Sequence, residues 1–122
     1  MIHVLVIDDD KDVRERMQSS LELMGWSADC AEEFEEALAL IDTTRYSVVI
    51  TDLELAKFKG LQGLSILDHV RQHAPGTKVI VISGHSDPEV AKEAFAHGVD
   101  KFLAKPFSLA NLAAAVISLA GN

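Results

Sequence analysis

The 122-residue sequence contains one cysteine, Cys30, and no apolar stretch long enough to cross a membrane. A single cysteine cannot form an internal disulfide, so nothing in the chain requires an oxidising compartment. The longest apolar stretch, Leu112 to Ile117, is far shorter than the ~20 residues of a transmembrane helix. We expect no signal peptide ahead of the first predicted strand, which begins at Ile2. These absences favour a soluble cytoplasmic protein, or a domain of one.

Basic residues are also scarce, since 11 lysines and arginines stand against 19 acids and the net charge is -8. A nucleic-acid footprint needs a basic patch, so this charge balance argues against nucleic-acid binding by the chain. The hydrophobic content of 48% and the charged content of 25% are typical of a globular protein. A chain of this length buries roughly two-thirds of its unfolded surface. We therefore expect one domain over residues 1–122.

Five apolar runs alternate along the chain with five amphipathic helical patterns, without a linker or repeat between them. With right-handed crossovers, this alternation predicts an α/β fold in which helices cover both faces of a parallel sheet. Periodicity alone does not determine the order of the strands. The predicted strands are Ile2–Ile7, Trp26–Ala31, Tyr46–Asp52, Lys78–Ser83 and Lys101–Ala104.

Capping and burial patterns define several of the helices. Asp10 is the predicted N-cap of a helix from about Lys11 to Met24, and Ser108 that of the last helix. Residues 86–89 match a capping box ahead of the fourth helix. Helical spacing predicts two buried stripes, which are Val13, Met17, Leu21 and Met24 in the first helix and Leu109, Leu112, Val116 and Leu119 in the last.

Four of the predicted strands end on polar side chains: Asp8 and Asp9, then Asp52, Ser83 and Lys105. Open α/β sheets bind ligands at the carboxyl ends of their strands, so these groups predict a site. Neighbouring carboxylates repel one another unless a cation is present, and hard oxygen ligands suit Mg²⁺. A carboxylate can attack a phosphoryl group to form an aspartyl phosphate, and a lysine can neutralise the transferring oxygens.

Four motifs in order make the whole chain resemble a response-regulator receiver domain of two-component signalling. They are Val6-Ile7-Asp8-Asp9-Asp10, Val48-Val49-Ile50-Thr51-Asp52, Val81-Ile82-Ser83-Gly84-His85 and Phe102-Leu103-Ala104-Lys105-Pro106-Phe107. The resemblance implies a flavodoxin-like, doubly wound (βα)5 fold with strand order 2-1-3-4-5. The first and third strands are neighbours in that order, which would bring their terminal acids together.

The resemblance also implies a role for each acid and for the lysine. Asp52 would be the phosphoacceptor, and Mg²⁺ would be the cofactor. The ion would be held by Asp8, Asp9 and Asp52, with the backbone carbonyl of Glu54, directly or through water. Lys105 would pair with the phosphoryl group. By the same resemblance, the phosphodonor would be a histidine kinase or a histidine phosphotransfer protein.

A conformational switch is implied at two further residues. Ser83 would offer its hydroxyl to the phosphoryl oxygens, and the rotamer of Phe102 would follow Ser83. The face of the fourth helix, fifth strand and fifth helix would change, to be read by an output domain, a partner protein or a second copy of the chain. The Lys105–Pro106 bond would be cis. The chain would be a stand-alone receiver or part of a larger protein, with no enzyme activity beyond self-phosphorylation and autodephosphorylation.

Two alternatives stay open at this point, a phosphohydrolase of the haloacid dehalogenase type and a non-phosphorylated scaffold of the same fold. The first uses Asp-x-Asp followed two residues later by Thr or Val, where this chain has Asp12. The chain also departs from the receiver pattern. The loop after Asp52 is longer, so that Gly60 and Gly63 compete for one role, and Phe102 stands where tyrosine is commoner.

His69 and His73 lie one helical turn apart, a spacing that suits a metal. The sequence shows no third ligand with them. A solvated helix face is the interpretation that the sequence favours.

Overall fold

The computed structural model describes residues 1–53, 62–84 and 88–120, which form five strands and five helices in strict alternation. No helix in these residues is both long and apolar enough to cross a membrane. The strands are β1 (His3–Ile7), β2 (Ser27–Ala31), β3 (Val48–Asp52), β4 (Lys78–Ser83) and β5 (Lys101–Ala104). The helices are α1 (Lys11–Leu23), α2 (Phe34–Thr43), α3 (Gln62–His73), α4 (Pro88–Ala96) and α5 (Leu109–Ala120).

All strand pairs are parallel, and the sheet order is β2-β1-β3-β4-β5. The predicted fold and strand order are therefore confirmed. Strand β3 is buried at every position, as expected of an apolar, β-branched run in the centre of a parallel sheet.

Two hydrophobic layers lie on opposite faces of the sheet. Because side chains alternate along a strand, Leu5 and Ile7 face one layer while Val4 and Val6 face the other. The first layer is covered by α2, α3 and α4, and the second by α1 and α5.

The predicted helix caps are present, but the outermost positions of both buried stripes were predicted wrongly. Asp10 accepts hydrogen bonds from the backbone N–H groups of Asp12 and Val13, and Ser108 accepts one from Asn111. Met24 is 46% exposed because α1 ends before it, and Leu109 is 43% exposed at the first position of α5. The capping box predicted at residues 86–89 begins at Ser86, and residues 85–87 lie outside the described part of the chain.

Polar side chains at the amino edge of the sheet pair with one another and with the backbone. Tyr46 donates a hydrogen bond to Asp29 at 2.8 Å, and His3 Nε2 lies 2.9 Å from the same carboxylate oxygen. Arg71 donates to the carbonyl oxygen of Thr77 and forms an ion pair with Asp100. These contacts join β1, β2 and the segment before β3 through Asp29, and the segments before β4 and β5 through Arg71.

Candidate active site

Strand register brings the predicted site residues to one edge of the sheet. Ile7 pairs with Thr51, so the residues that follow them, Asp8 and Asp52, lie side by side. Asp52 in turn pairs with Ile82, which places Ser83 one residue beyond it on β4. Ser83 pairs with Ala104 on β5, and Lys105 follows. The strand register therefore brings the carboxyl ends of β1, β3, β4 and β5 to one location.

Asp52 is 7% exposed, and its carboxylate accepts a hydrogen bond from Lys105 Nζ at 2.8 Å. The same ammonium lies 3.9 Å from Asp8 Oδ2. Burial by itself lowers the pKa of Lys105. The hydrogen bond and attraction to Asp52, with smaller contributions from Asp8 and Asp9, together raise that pKa above its usual value. The lysine is therefore a fixed positive charge at neutral pH.

Asp8 is buried, and its two carboxylate oxygens differ. Oδ1 accepts a hydrogen bond from the backbone N–H of Asp10 at 2.9 Å. Within the described residues, Oδ2 is the one buried side-chain polar atom without a hydrogen-bond partner. Burial raises the pKa of Asp8, and the charges of Asp52 and Asp9 raise it further against the opposing effects of Asp10 and Lys105.

An unpartnered buried oxygen costs about 1–3 kcal/mol, so its presence indicates a site made for a further partner. One carboxylate oxygen from each of Asp8, Asp9 and Asp52 lies within 4.8 Å of the others. Three carboxylates of this kind are hard ligands that leave positions open for water and phosphate, as Mg²⁺ requires. The residues present therefore fit the expected ion. Glu54, also predicted at the site, lies outside the described residues.

Gly63 contacts the backbone next to Asp52. The sequence could not decide whether Gly60 or Gly63 has this role. The Gly63 N–H donates a hydrogen bond to the carbonyl oxygen of Leu53 at 3.0 Å. A Cβ atom added at Gly63 would lie 2.6 Å from Leu53 Cα and 2.7 Å from the carbonyl oxygen of Asp52. Only glycine allows this approach, so Gly63 seats α3 against the site. Gly60, the competing candidate, lies outside the described residues.

The two predicted switch residues lie on neighbouring strands beside the site. Ser83 is fully buried, and its carbonyl oxygen accepts a hydrogen bond from the Lys105 N–H at 2.8 Å. Phe102 pairs with Val81 and is partly buried against the layer under α2, α3 and α4. The Lys105–Pro106 peptide bond is cis, as the resemblance implied.

Comparison with known proteins shows the same family along nearly the whole chain. Residues 4–117 match the response regulator receiver domain. The C4-dicarboxylate transport transcriptional regulatory protein DctD of Rhizobium meliloti is 34% identical over 86% of this chain and 22% of its own length. The transcriptional regulatory protein PmrA of Pectobacterium parmentieri is 34% identical over 95% of this chain and 51% of its own. The chain thus spans about half or less of these relatives.

Solved structures agree with the sequence relatives. The receiver domain of the Francisella response regulator 1452 has a TM-score of 0.87 at 33% identity, covering 98% of this chain and 96% of that one. The beryllofluoride-activated NtrC4 receiver domain dimer has a TM-score of 0.89 at 29% identity, covering 98% and 97%. Both similarities extend over essentially the full domain.

Proposed function

This chain belongs to the response regulator receiver domains of two-component signalling, and from that membership we propose that it accepts a phosphoryl group on Asp52. The donor is a histidine kinase or a histidine phosphotransfer protein. The observation that carries the proposal is the setting of the Asp52 carboxylate, which has the Lys105 ammonium at 2.8 Å and two more acids beside it at the carboxyl edge of the sheet.

In the transfer step, an oxygen of the Asp52 carboxylate attacks the phosphorus atom. The bond from phosphorus to the donor's histidine nitrogen breaks, and an acyl phosphate forms. Lys105 moves from the free carboxylate to the phosphoryl oxygens and neutralises part of their charge. Asp8, Asp9 and Asp52, with the Glu54 carbonyl, would hold Mg²⁺, which supplies further positive charge against those oxygens.

Phosphorylation then changes the electrostatics next to Ser83. The new group adds about -1.5 to -2 of charge and three strong acceptor oxygens. A hydrogen bond from the Ser83 hydroxyl to such a group is worth roughly 1.5–3 kcal/mol. Since 1.4 kcal/mol corresponds to a tenfold change, this is enough to shift a two-state loop equilibrium by about tenfold or more. Inward movement of Ser83 opens space for Phe102 and so reshapes the face of α4, β5 and α5.

We infer that an output domain, a partner protein or a second copy of the chain binds the face of α4, β5 and α5. The similar NtrC4 receiver domain is a dimer, which supports the last of these. The setting that we propose is the cytoplasm, where the free thiol of Cys30 stays reduced. The domain's own chemistry is limited to self-phosphorylation and autodephosphorylation.

Intact mass after incubation with acetyl phosphate, with and without Mg²⁺, tests the proposal. We expect one phosphoryl group per chain, dependent on Mg²⁺ and stable in acid but labile in base. Asp52→Asn should abolish the mass shift, whereas Asp29→Asn, which changes a carboxylate at the opposite edge, should keep it. An undiminished shift in Asp52→Asn would refute the assignment, and continuous release of phosphate would indicate a phosphohydrolase instead.

A further inference from the structure

The two histidines of α3 have a third potential ligand that only the fold supplies. Asp42, on α2, places its Oδ1 at 2.7 Å from His69 Nε2. The rings of His69 and His73 lie with their centroids 4.3 Å apart, tilted by 33°. The solvated helix face that the sequence favoured is therefore only half right, because His73 is exposed while His69 is paired across two helices.

Two imidazoles and one carboxylate are a ligand set that Zn²⁺ accepts, with water in the fourth position. Side chains four residues apart on a helix share one face, which is why both rings reach the same place. Asp42 and His73 also line one solvent-open cleft of about 680 Å³, between the α2–β3 and α3–β4 connections. A hydrated cation can thus reach Asp42 and His73 from solvent.

The other histidine–aspartate pairs in the described residues lack the second imidazole that His73 provides. His97 Nδ1 lies 2.8 Å from Asp68 Oδ1, and His3 pairs with Asp29 in the same way. Neither pair has a second imidazole against its ring within the described part of the chain. A single histidine–aspartate pair without a second imidazole is an ordinary surface contact of small energetic value.

We propose that Asp42, His69 and His73 form a second cation site, for Zn²⁺ or another borderline divalent metal, that joins α2 to α3. Among the described residues, only Asp8, Asp9 and Asp52 already have ligand atoms within 4.8 Å of one another. The second set must therefore close by rotation of Asp42, whose side chain is 50% exposed, and of His73, which is exposed, toward the less exposed His69. The site differs chemically from the first, whose three oxygens prefer a hard ion.

Zn²⁺ titration in saturating Mg²⁺ tests the proposal, with an indicator competition for affinity and imidazole NMR signals for location. We expect one Zn²⁺ per chain, with shifts at His69 and His73. His73→Gln should weaken binding by roughly tenfold or more because one of the three protein ligands is lost. Asp42→Asn should weaken it by about tenfold or more, because a neutral amide replaces the one carboxylate ligand.

His97→Gln is the matched control, since it removes a histidine from an equivalent aspartate pair and should leave the Zn²⁺ affinity within about twofold. The substituted residues Asp42, His73 and His97 are exposed enough for the variants to fold. Circular dichroism checks this. Unchanged affinity in His73→Gln, an equal loss in His97→Gln, or binding abolished by Asp8→Asn would each overturn the site. Phosphorylation of Asp52, measured on the same samples, is independent, so either proposal can fail without the other.

Discussion

Similar polar residues lie at the two edges of the sheet, but their hydrogen bonding differs. At the amino edge, the Asp29 carboxylate accepts a hydrogen bond from the Tyr46 hydroxyl and contacts His3. Burial and the contact with Asp29 raise the pKa of Tyr46, which therefore stays a hydrogen-bond donor. Thr77 donates to the Tyr46 carbonyl oxygen at 2.8 Å, and Asp100 accepts from the Val79 N–H at 2.8 Å.

At the carboxyl edge, by contrast, Asp8 keeps a buried oxygen without a hydrogen bond, next to two further acids. Polar groups that satisfy one another stabilise a fold, whereas buried groups that do not are found where a ligand completes the set. The difference separates an aspartate whose carboxylate is bonded within the fold from one that keeps a position open for a ligand. It also predicts that equivalent changes at the two edges have different, even opposite, effects.

The largest expected effect concerns the lysines at the two ends of β5. Lys105→Met should lower the rate of phosphorylation on Asp52 by about 10²–10³-fold, the usual loss when one charge-stabilising donor is removed. Lys101→Met, at the amino end of the same strand, should leave the rate nearly unchanged. The rate of the mass shift with acetyl phosphate measures both. Equal loss in the two variants would show that net charge, and not the position of Lys105, controls the reaction.

Glycines at the two ends of α3 offer the next contrast. Gly63→Ala should reduce the free energy of unfolding by about 1–3 kcal/mol, because its Cβ would overlap the Leu53 backbone. Gly76, in the turn that leads to β4, has no atom within 4 Å of an added Cβ, so Gly76→Ala should be close to neutral. Urea unfolding measures both. A neutral Gly63→Ala would mean that α3 is not seated tightly against the site.

Opposite signs are expected for the two aspartates. Asp8→Asn should stabilise the protein by about 1 kcal/mol at pH 7 in the absence of Mg²⁺, because it removes a buried charge that Asp52 and Asp9 repel. Asp29→Asn should destabilise it by about 1–2 kcal/mol, since the Tyr46 hydroxyl then donates to a neutral acceptor. Unfolding in urea measures both, and two changes of the same sign would contradict the comparison.

The pH dependence of Asp8→Asn follows from the raised pKa of Asp8. Above the unfolded value of 3.8 and below the folded pKa, the native state keeps a proton that the unfolded state has released. Wild-type stability therefore falls as the pH rises through this window, and asparagine avoids that loss. The advantage of Asp8→Asn should vanish below the window and reach its full size above it. An advantage that is the same at every pH would rule out titration of Asp8 as its cause.

The smallest effect is expected at the switch. Ser83→Ala should still be phosphorylated on Asp52 but lose most of the chemical-shift response at Phe102, because the hydroxyl that joins the two is gone. Phe102 lacks the hydroxyl of a tyrosine, so only burial favours its inward state. Full retention of the Phe102 response in Ser83→Ala would disprove the coupling.

Local sequence signals predicted the elements well and their outer limits poorly. The caps at Asp10 and Ser108 were found because a capping side chain bonds to the backbone only two or three residues away. Met24 and Leu109 were placed wrongly because helical spacing continues past the point where a helix loses contact with the sheet. Periodicity describes which side of a helix is apolar, not how far the neighbouring surface extends.

The sequence by itself determined which chemical groups end each strand, because apolar runs and their terminal polar residues are properties of short segments. It also determined that these groups share one edge, since strands joined by crossover helices run in parallel. Local patterns did not place Asp8 beside Asp52, which followed from the family resemblance and is confirmed by the strand register. Only the tertiary structure decided that Gly63 packs α3 against the site and that Asp42 contacts His69. Those contacts join residues far apart in the chain, and register and packing between elements set them, which no local pattern encodes.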